Sequence, residues 1–313
     1  MSVLDFLYAL FIYARGFIFG RKCHSTARLN GKTVIVTGGN TGIGKETVLD
    51  LASRGAKVIL ACRDVQKGYE AVKDISDKIR KPNLVVKRLD LASFASIKSF
   101  AQNVLENEPY IHILINNAAV GICPKSLTED GYELQFGVNH LGHFLLTHLL
   151  LDRIKASAPA RIINVSSIGH IGGHIDFSDI NLNSNYHPAS AYFRSKLANV
   201  LFTRELAKRL KGTGVTTYCL HPGAVYTGLG RHIEYSMSKF SGWLYDMYGR
   251  LLFKSPMIGA QTTIYCAVEE KLANESGHYY CDCTVISASS KAQDDKLARK
   301  LWDVSEDLIA KAL

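Results

Sequence analysis

Tyr192 and Lys196 stand four positions apart in a chain that also carries Thr37-Gly38-Gly39-Asn40-Thr41-Gly42-Ile43-Gly44 near its start. An α-helix turns once every ~3.6 residues, so side chains at i and i+4 share a face. On a helix this spacing holds an ammonium beside a phenol. A free phenol loses its proton near pH ~10, and a fixed cation favours the phenolate. The pair is then an acid/base usable near neutral pH. Next to a glycine loop suited to a nucleotide, the chemistry it serves is hydride transfer.

Alternating strand and helix patterns after residue 32 supply the frame for these groups. The β-branched run 33–37 predicts a strand that feeds directly into the glycine loop. Helix is expected over 42–53, 65–80 (stopped by Pro82), 93–107, 128–155 and 190–211. Strands are expected over 57–61, 84–86, 111–115, 161–165 and 215–220. Near-continuous aliphatic strands between helices predict an α/β fold with a doubly wound parallel sheet of the Rossmann type, covered on both faces. Ligands of such sheets bind beyond the carboxyl ends of the strands. The residues that follow each strand should therefore converge: the 38–44 loop, Cys62-Arg63, Asp90, Asn116-Asn117, Ser166-Ser167 and Pro222-Gly223.

Gly38-x-x-x-Gly42-x-Gly44 allows a tight turn and close approach of backbone to a pyrophosphate, with a helix N-terminus facing the anion. The end of the second strand discriminates between cofactors. A carboxylate there suits the ribose 2′-OH of NAD, and an arginine suits a 2′-phosphate. The chain has Ala61-Cys62-Arg63, so NADP(H) is expected, with Arg63 forked onto the phosphate.

Together, the glycine loop, Asn116-Asn117-Ala118-Ala119, Asn139, Ser167, Tyr192-x-x-x-Lys196 and Pro222-Gly223 resemble the short-chain dehydrogenases/reductases, over about residues 30–285. Ala61-Cys62-Arg63-Asp64, Asn139-His140-Leu141-Gly142-His143-Phe144, the run from Ser195 to Phe202 and Leu220-His221-Pro222-Gly223 resemble the NADP-preferring, membrane-anchored retinol dehydrogenase subgroup. One departure is Ala119, where the family often has glycine. The resemblance implies that Tyr192 is the general acid in carbonyl reduction, that Lys196 lowers its pKa and bonds the nicotinamide ribose, that Ser167 binds the substrate oxygen and that Asn139 holds a water. The family pattern favours Ser167 over its neighbour Ser166. It also implies a cofactor cradle of Gly38, Asn40, Thr41, Gly42, Ile43, Gly44, Arg63, Asp90, Leu91, Asn117, Ala118, Tyr192, Lys196, Pro222, Gly223, Val225 and Thr227. Physical chemistry supports the catalytic roles separately, because hydride arriving at a carbonyl carbon builds negative charge on oxygen that two hydroxyl donors stabilise.

The 313 residues, 47% hydrophobic and 21% charged, suit one large domain over 30–313 behind an N-terminal segment of 1–29. The net charge of +9 comes without a basic stripe interleaved with aromatics, so no nucleic-acid partner is expected. Seven scattered cysteines read as free thiols; His170 and His174 lack a carboxylate at ligand spacing, and no metal is expected. Residues 3–19 are mostly apolar, interrupted by Asp5 and Arg15, and are followed by Arg21, Lys22 and Arg28. A membrane anchor or interfacial helix is expected there, spanning or lying on the bilayer, with the remaining chain facing the cytosol. The endoplasmic reticulum is the first choice of membrane and the mitochondrion the second. Aromatic residues through 224–256, Trp243 and Phe240 among them, fit either a core-packing helix or a lid over a long apolar pocket. The resemblance implies a lipophilic carbonyl substrate, all-trans-retinal first and a steroid or fatty-chain carbonyl second. A non-catalytic NADPH-binding scaffold is the rival of another class, and a homodimer is left open.

Overall fold

A computed structural model of the chain describes residues 20–225, 253–310 and 313. The expected anchor over 3–19, most of the 224–256 segment and Thr227 lie outside the described residues. Among the described residues, no helix is long and apolar enough to cross a membrane.

Strands and helices alternate along the first two thirds of the chain. They run β1 (Thr33–Thr37), α1 (Gly42–Ser53), β2 (Lys57–Cys62), α2 (Val65–Ser76), β3 (Asn83–Arg88), α3 (Phe94–Asn107), β4 (Ile113–Asn116), α4 (Gly142–Ala156), β5 (Ala160–Val165), α5 (Pro188–Arg209) and β6 (Val215–His221). There follow α6 (Pro256–Gly259), α7 (Gln261–Val268), β7 (Tyr279–Cys281), β8 (Thr284–Ile286) and α8 (Asp295–Ile309). They build one eight-stranded sheet in the order β3-β2-β1-β4-β5-β6-β7-β8, parallel except for β8. The chain order reverses between β1 and β4, which opens the crevice where such sheets hold ligands.

Alternation along each strand divides the core into two layers. Ile35, Ile59, Leu114 and Ile162 face α3, α4, α5 and α8. Val34, Val36, Val58, Leu60, Ile113, Ile115 and Ile163 face α1, α2 and α7. Both faces are buried, which is why the strands read as unbroken aliphatic runs.

Two predicted helices differ in extent. The expected 65–80 helix ends at Ser76, where the amides of Lys78 and Ile79 both turn back to the Ile75 carbonyl at 3.0 Å. Lys81 then takes φ +51° ahead of Pro82, a position from which proline excludes helix. The expected 128–155 helix starts only at Leu134, because Glu133 accepts from the amides of Gln135 and Phe136 at 2.9 Å and caps it. A π-turn over Gly137–Leu141 then separates that first turn from α4. β7, β8 and α8 carry no expectation from the sequence. α8 docks through Trp302, whose ring lies 4.9 Å from Phe144 and beneath the Arg209 guanidinium at 4.3 Å.

Candidate active site

At the carboxyl end of β1 the chain turns on a buried hydroxyl. Thr37 Oγ1 accepts from the amides of Asn117 and Ala118, each at 2.9 Å, and Asn117 Nδ2 returns a bond to the Thr37 carbonyl at 2.8 Å. The Gly38 amide donates to the Ala61 carbonyl at 2.8 Å, which ties the turn to β2 as well. Gly38 and Gly42 take φ of +66° and +55°, a region that disfavours any side chain. A Cβ on Gly44 would strike the Gly38 carbonyl oxygen and come within 2.7 Å of Asn117 Nδ2. The first turn of α1 is thus pressed onto the loop, and its N-cap, Thr41, makes no side-chain cap bond. Main-chain donors at a helix start, backed by glycines, fit a pyrophosphate. Asn40, Thr41 and Ile43 sit in this turn; across it, the short α6 packs Gly259 against both Ile43 and Val225.

Three predicted cofactor residues lie farther along the cleft. Arg63 follows β2, is exposed and makes no hydrogen bond or ion pair among the described residues. Asp90 follows β3 and turns its carboxylate onto the Ala92 amide at 3.0 Å. Leu91 is buried, with its carbonyl against Gly142 at the start of α4.

The catalytic candidates gather where α5 crosses β5. Pro188 opens α5, with the His187 ring capping the Ser190 amide. One turn in, Lys196 Nζ lies 5.7 Å from the centre of the Tyr192 ring and donates to the Val165 carbonyl at 3.0 Å. Lys196 is only 2% exposed, and burial pulls its pKa down to about 8. Its amine therefore keeps its proton at neutral pH with little margin.

Two clasps fix α5 against the segment from Glu133 through the π-turn. Asn139 Nδ2 donates to Ser195 Oγ at 2.9 Å and to the Val120 carbonyl at 2.8 Å, while its Oδ1 accepts from the Val120 amide at 2.9 Å. Ser195 in turn donates to the Tyr192 carbonyl at 2.7 Å. The second clasp is the buried pair Arg194–Glu133 at 3.0 Å. π-turns are rare and collect at functional sites, because they shift a side chain and free a carbonyl.

The adjacent serines after β5 diverge. Ser166 is buried and donates to the Lys196 carbonyl at 2.8 Å. Ser167 is half-buried, and its oxygen accepts from the Gly169 amide at 3.1 Å. From β6, His221 Nδ1 accepts the Ile168 amide at 3.2 Å, which brings the Pro222-Gly223 turn beside the Ser167 loop. His170 accepts the Ser289 amide through Nε2 at 3.1 Å, and its Nδ1 lies 2.8 Å from the Ser167 carbonyl. Burial holds His170 and His143 down to about 4 and His140 and His221 down to about 3, so all four rings are neutral. His143 bridges the two halves of the site: Nε2 lies 2.9 Å from Thr37 Oγ1 and Nδ1 lies 3.1 Å from the Asn139 carbonyl. Residue-by-residue reading of the chain did not single out Thr37 Oγ1, His143 or Ser195 as hubs. Their positions beside the glycine turn, Asn139 and Lys196 were the available signal.

The short chain dehydrogenase family profile matches residues 32–237. Among curated proteins, retinol dehydrogenase 13 of Mus musculus is 52% identical over 303 residues, covering 96% of this chain and 91% of the relative. Retinol dehydrogenase 11 of Homo sapiens is 51% identical, covering 92% and 88% respectively. Among solved structures, an uncharacterised protein from Mycobacterium Paratuberculosis superposes with a TM-score of 0.72 at 33% identity, covering 91% of this chain and 95% of that one. The RhlG/NADP active-site complex of Pseudomonas aeruginosa gives 0.63 at 26% identity, covering 82% and 96%.

Proposed function

The chain belongs to the short-chain dehydrogenase family and is an oxidoreductase of it, and from that premise we propose that it reduces lipophilic aldehydes of the retinal type with NADPH. The observation that carries the mechanism is the buried Lys196 amine 5.7 Å from the Tyr192 ring, one helical turn away. NADPH, when bound, supplies the hydride. The chain's own residues supply the proton and hold the oxygen.

In this reading Tyr192 donates its phenolic proton to the carbonyl oxygen as negative charge develops there. Ser167 donates a second hydrogen bond to the same oxygen, and two aimed donors in a partly dry cleft stabilise the transition state more than the ground state. The Lys196 ammonium favours the phenolate left on Tyr192. The Asn139 side chain is committed to Val120 and Ser195, so its main-chain carbonyl, which already meets His143 Nδ1 at 3.1 Å, would use its second lone pair to hold a water that resupplies the proton. Gly38, Asn40, Thr41, Gly42, Ile43 and Gly44 would seat the pyrophosphate, with Asp90, Leu91, Asn117 and Ala118 lining the adjoining wall. Pro222, Gly223, Val225 and Thr227 would close the opposite side.

Arg63 supports NADPH over NADH, because it stands at the β2 end with no acidic partner to neutralise it. The relatives named as retinol dehydrogenases support the substrate class. The apolar run 3–19 and the basic residues that follow it support anchoring to a membrane with the catalytic part on the cytosolic side, the endoplasmic reticulum first among membranes.

A carbonyl panel tests the whole reading. Turnover with retinal should exceed that with steroid ketones and small soluble aldehydes, and NADPH should outperform NADH. Tyr192→Phe should lower kcat by about 10²–10⁴-fold while NADPH affinity stays near wild type. Retained turnover in that variant would remove Tyr192 as the acid; a preference for steroid ketones would change the substrate class and leave the mechanism standing.

A further inference from the structure

Beyond β6 lies a charged contact that the proton and hydride chemistry does not use. Lys254 and Asp282 form an ion pair at 2.5 Å, with side chains only 11% and 6% exposed. Taking two charges out of water costs several kcal/mol per ion, so a pair this dry is weak evidence of stabilisation and invites another reason for its presence. Its surroundings supply one. The Lys254 stem lies across Gly223, where an added Cβ would sit 2.9 Å from both Cδ and Nζ. Gly223 also takes φ +91°, so the position needs glycine for its backbone and for its neighbour. The Lys254 amide donates to the Ala224 carbonyl at 2.8 Å, and Lys254 bridges Val225 in parallel.

Asp282 is held out to meet this lysine by a tight hairpin. It and Cys283 are the two residues between β7 and β8, at φ +49° and +53°. Two left-handed residues are what a two-residue hairpin with the right twist requires, and aspartate tolerates the conformation better than most side chains. β7 pairs with β6 in the register His221↔Cys281, so the hairpin tip stands beside the Pro222-Gly223 turn.

We propose that Lys254 and Asp282 are positioning residues for the nicotinamide half of the cofactor site: the hairpin tip fixes the lysine, and the lysine stem fixes the Pro222-Gly223 turn. The proposal rests on the reading of Gly223 as a cofactor contact. It separates the two ends of the cleft, because Arg63 follows β2 and Gly223 follows β6, four strand spacings apart in the sheet, or about 19 Å. Loss of the pair should weaken binding of the whole dinucleotide and leave an adenosine fragment untouched.

Asp282→Asn tests this cleanly. Asparagine keeps the shape and suits positive φ, so the turn survives while the charge is lost. On the full chain, the Kd of NADPH should rise roughly tenfold, equivalent to about 1.4 kcal/mol. The Kd of adenosine 2′,5′-bisphosphate should stay at the wild-type value while the Tm falls, since the Lys254 ammonium is left dry without its partner. Lys254→Met, which keeps the stem, should raise the NADPH Kd less, and the double variant should be no worse than Asp282→Asn alone. Unchanged NADPH binding in Asp282→Asn would overturn the proposal. So would a parallel loss of both ligands, since the pair would then serve the fold alone. Failure of the wild-type chain to bind NADPH would overturn both this inference and the reading beneath it.

Discussion

At the β1–β4 end of the cleft the contacts run through main-chain groups, the Thr37 hydroxyl and the Asn117 amide, with the neutral His143 ring reaching in, whereas at the β5–β7 end they run through buried ionisable side chains. Thr37, Gly38, Gly44, Asn117 and Ala118 shape the first end with no charged group among them. Lys196, His170, His221 and the Lys254–Asp282 pair shape the second. The first end is defined by what cannot fit, so it fails by collision. The second is defined by protonation and charge, so it fails by titration.

Acid is the strongest way to break that contrast. His140, His143, His170 and His221 are neutral in the fold, with pKa values pulled by burial to about 3 or 4. In the unfolded chain each would protonate near ~6.5. Below that pH the unfolded state binds more protons, so stability falls as pH drops from about 6.5 toward 4 and is intact above it. Each ring contributes a slope of up to ~1.4 kcal/mol per pH unit, and four together can consume a net stability of ~5–15 kcal/mol within a few units. Thermal melts from pH 7.5 to 4.5 should show Tm dropping steeply below 6.5. Hydrogen exchange at pH 5 should open residues 168–172 and 221 before the β1–α1 turn. A Tm flat down to pH 5 would mean that these rings reach water and are not buried neutral.

Collision at the other end is expected to be smaller in stability but large for the cofactor. Gly44→Ala places a methyl group into the Gly38 carbonyl and against Asn117 Nδ2. The first turn of α1 must move by about an ångström, a displacement that costs ~100-fold in rate, and NADPH affinity should fall with it. Because the His143 ring at Thr37 is held neutral across this range, the ratio of wild-type to variant Kd should be the same at pH 6.5 and 7.5. A pH-dependent ratio, or near-wild-type affinity, would dissolve the distinction between the two ends.

The same contrast explains what could be read from the chain alone. Gly38, Gly42 and Gly44 act within one turn and beside the strand that precedes them, so their spacing carries their meaning. Tyr192 and Lys196 act within one helical turn, and the strands between them and the glycines announce themselves by aliphatic runs. The second end is assembled from residues far apart in sequence. Lys254 meets Asp282 across 28 positions, and His170 meets Ser289 across 119. No periodicity records such pairings. β7 and β8 are three residues each, below the length at which alternation can be seen, and the left-handed turn between them uses Asp282 and Cys283 where a glycine would have signalled it. The start of the 134–156 helical stretch, by contrast, was legible, since Asp130-Gly131 is a turn dipeptide and Thr128 closes that turn on Tyr132 ahead of the helix.

The finest test sets two neighbours against each other. Ser166 and Ser167 differ by one position, and extended backbone sends consecutive side chains to opposite sides. Ser166 spends its proton on the Lys196 carbonyl inside the protein. Ser166→Ala therefore removes one buried hydrogen bond whose acceptor still belongs to a helix, a loss of about 0.5–1.5 kcal/mol. The Tm should fall by a few degrees, with kcat within ~3-fold of wild type. Ser167 instead keeps its hydroxyl at the half-buried mouth of the loop, where its oxygen accepts from Gly169 and its proton remains available to a ligand. Ser167→Ala should leave the Tm within a degree or two and lower kcat by ~100-fold, the scale of losing one donor to a developing oxyanion. If the two variants exchange these phenotypes, the substrate oxygen lies on the α5 side of β5, and the hydroxyl that meets it is the one now bonded to the helix.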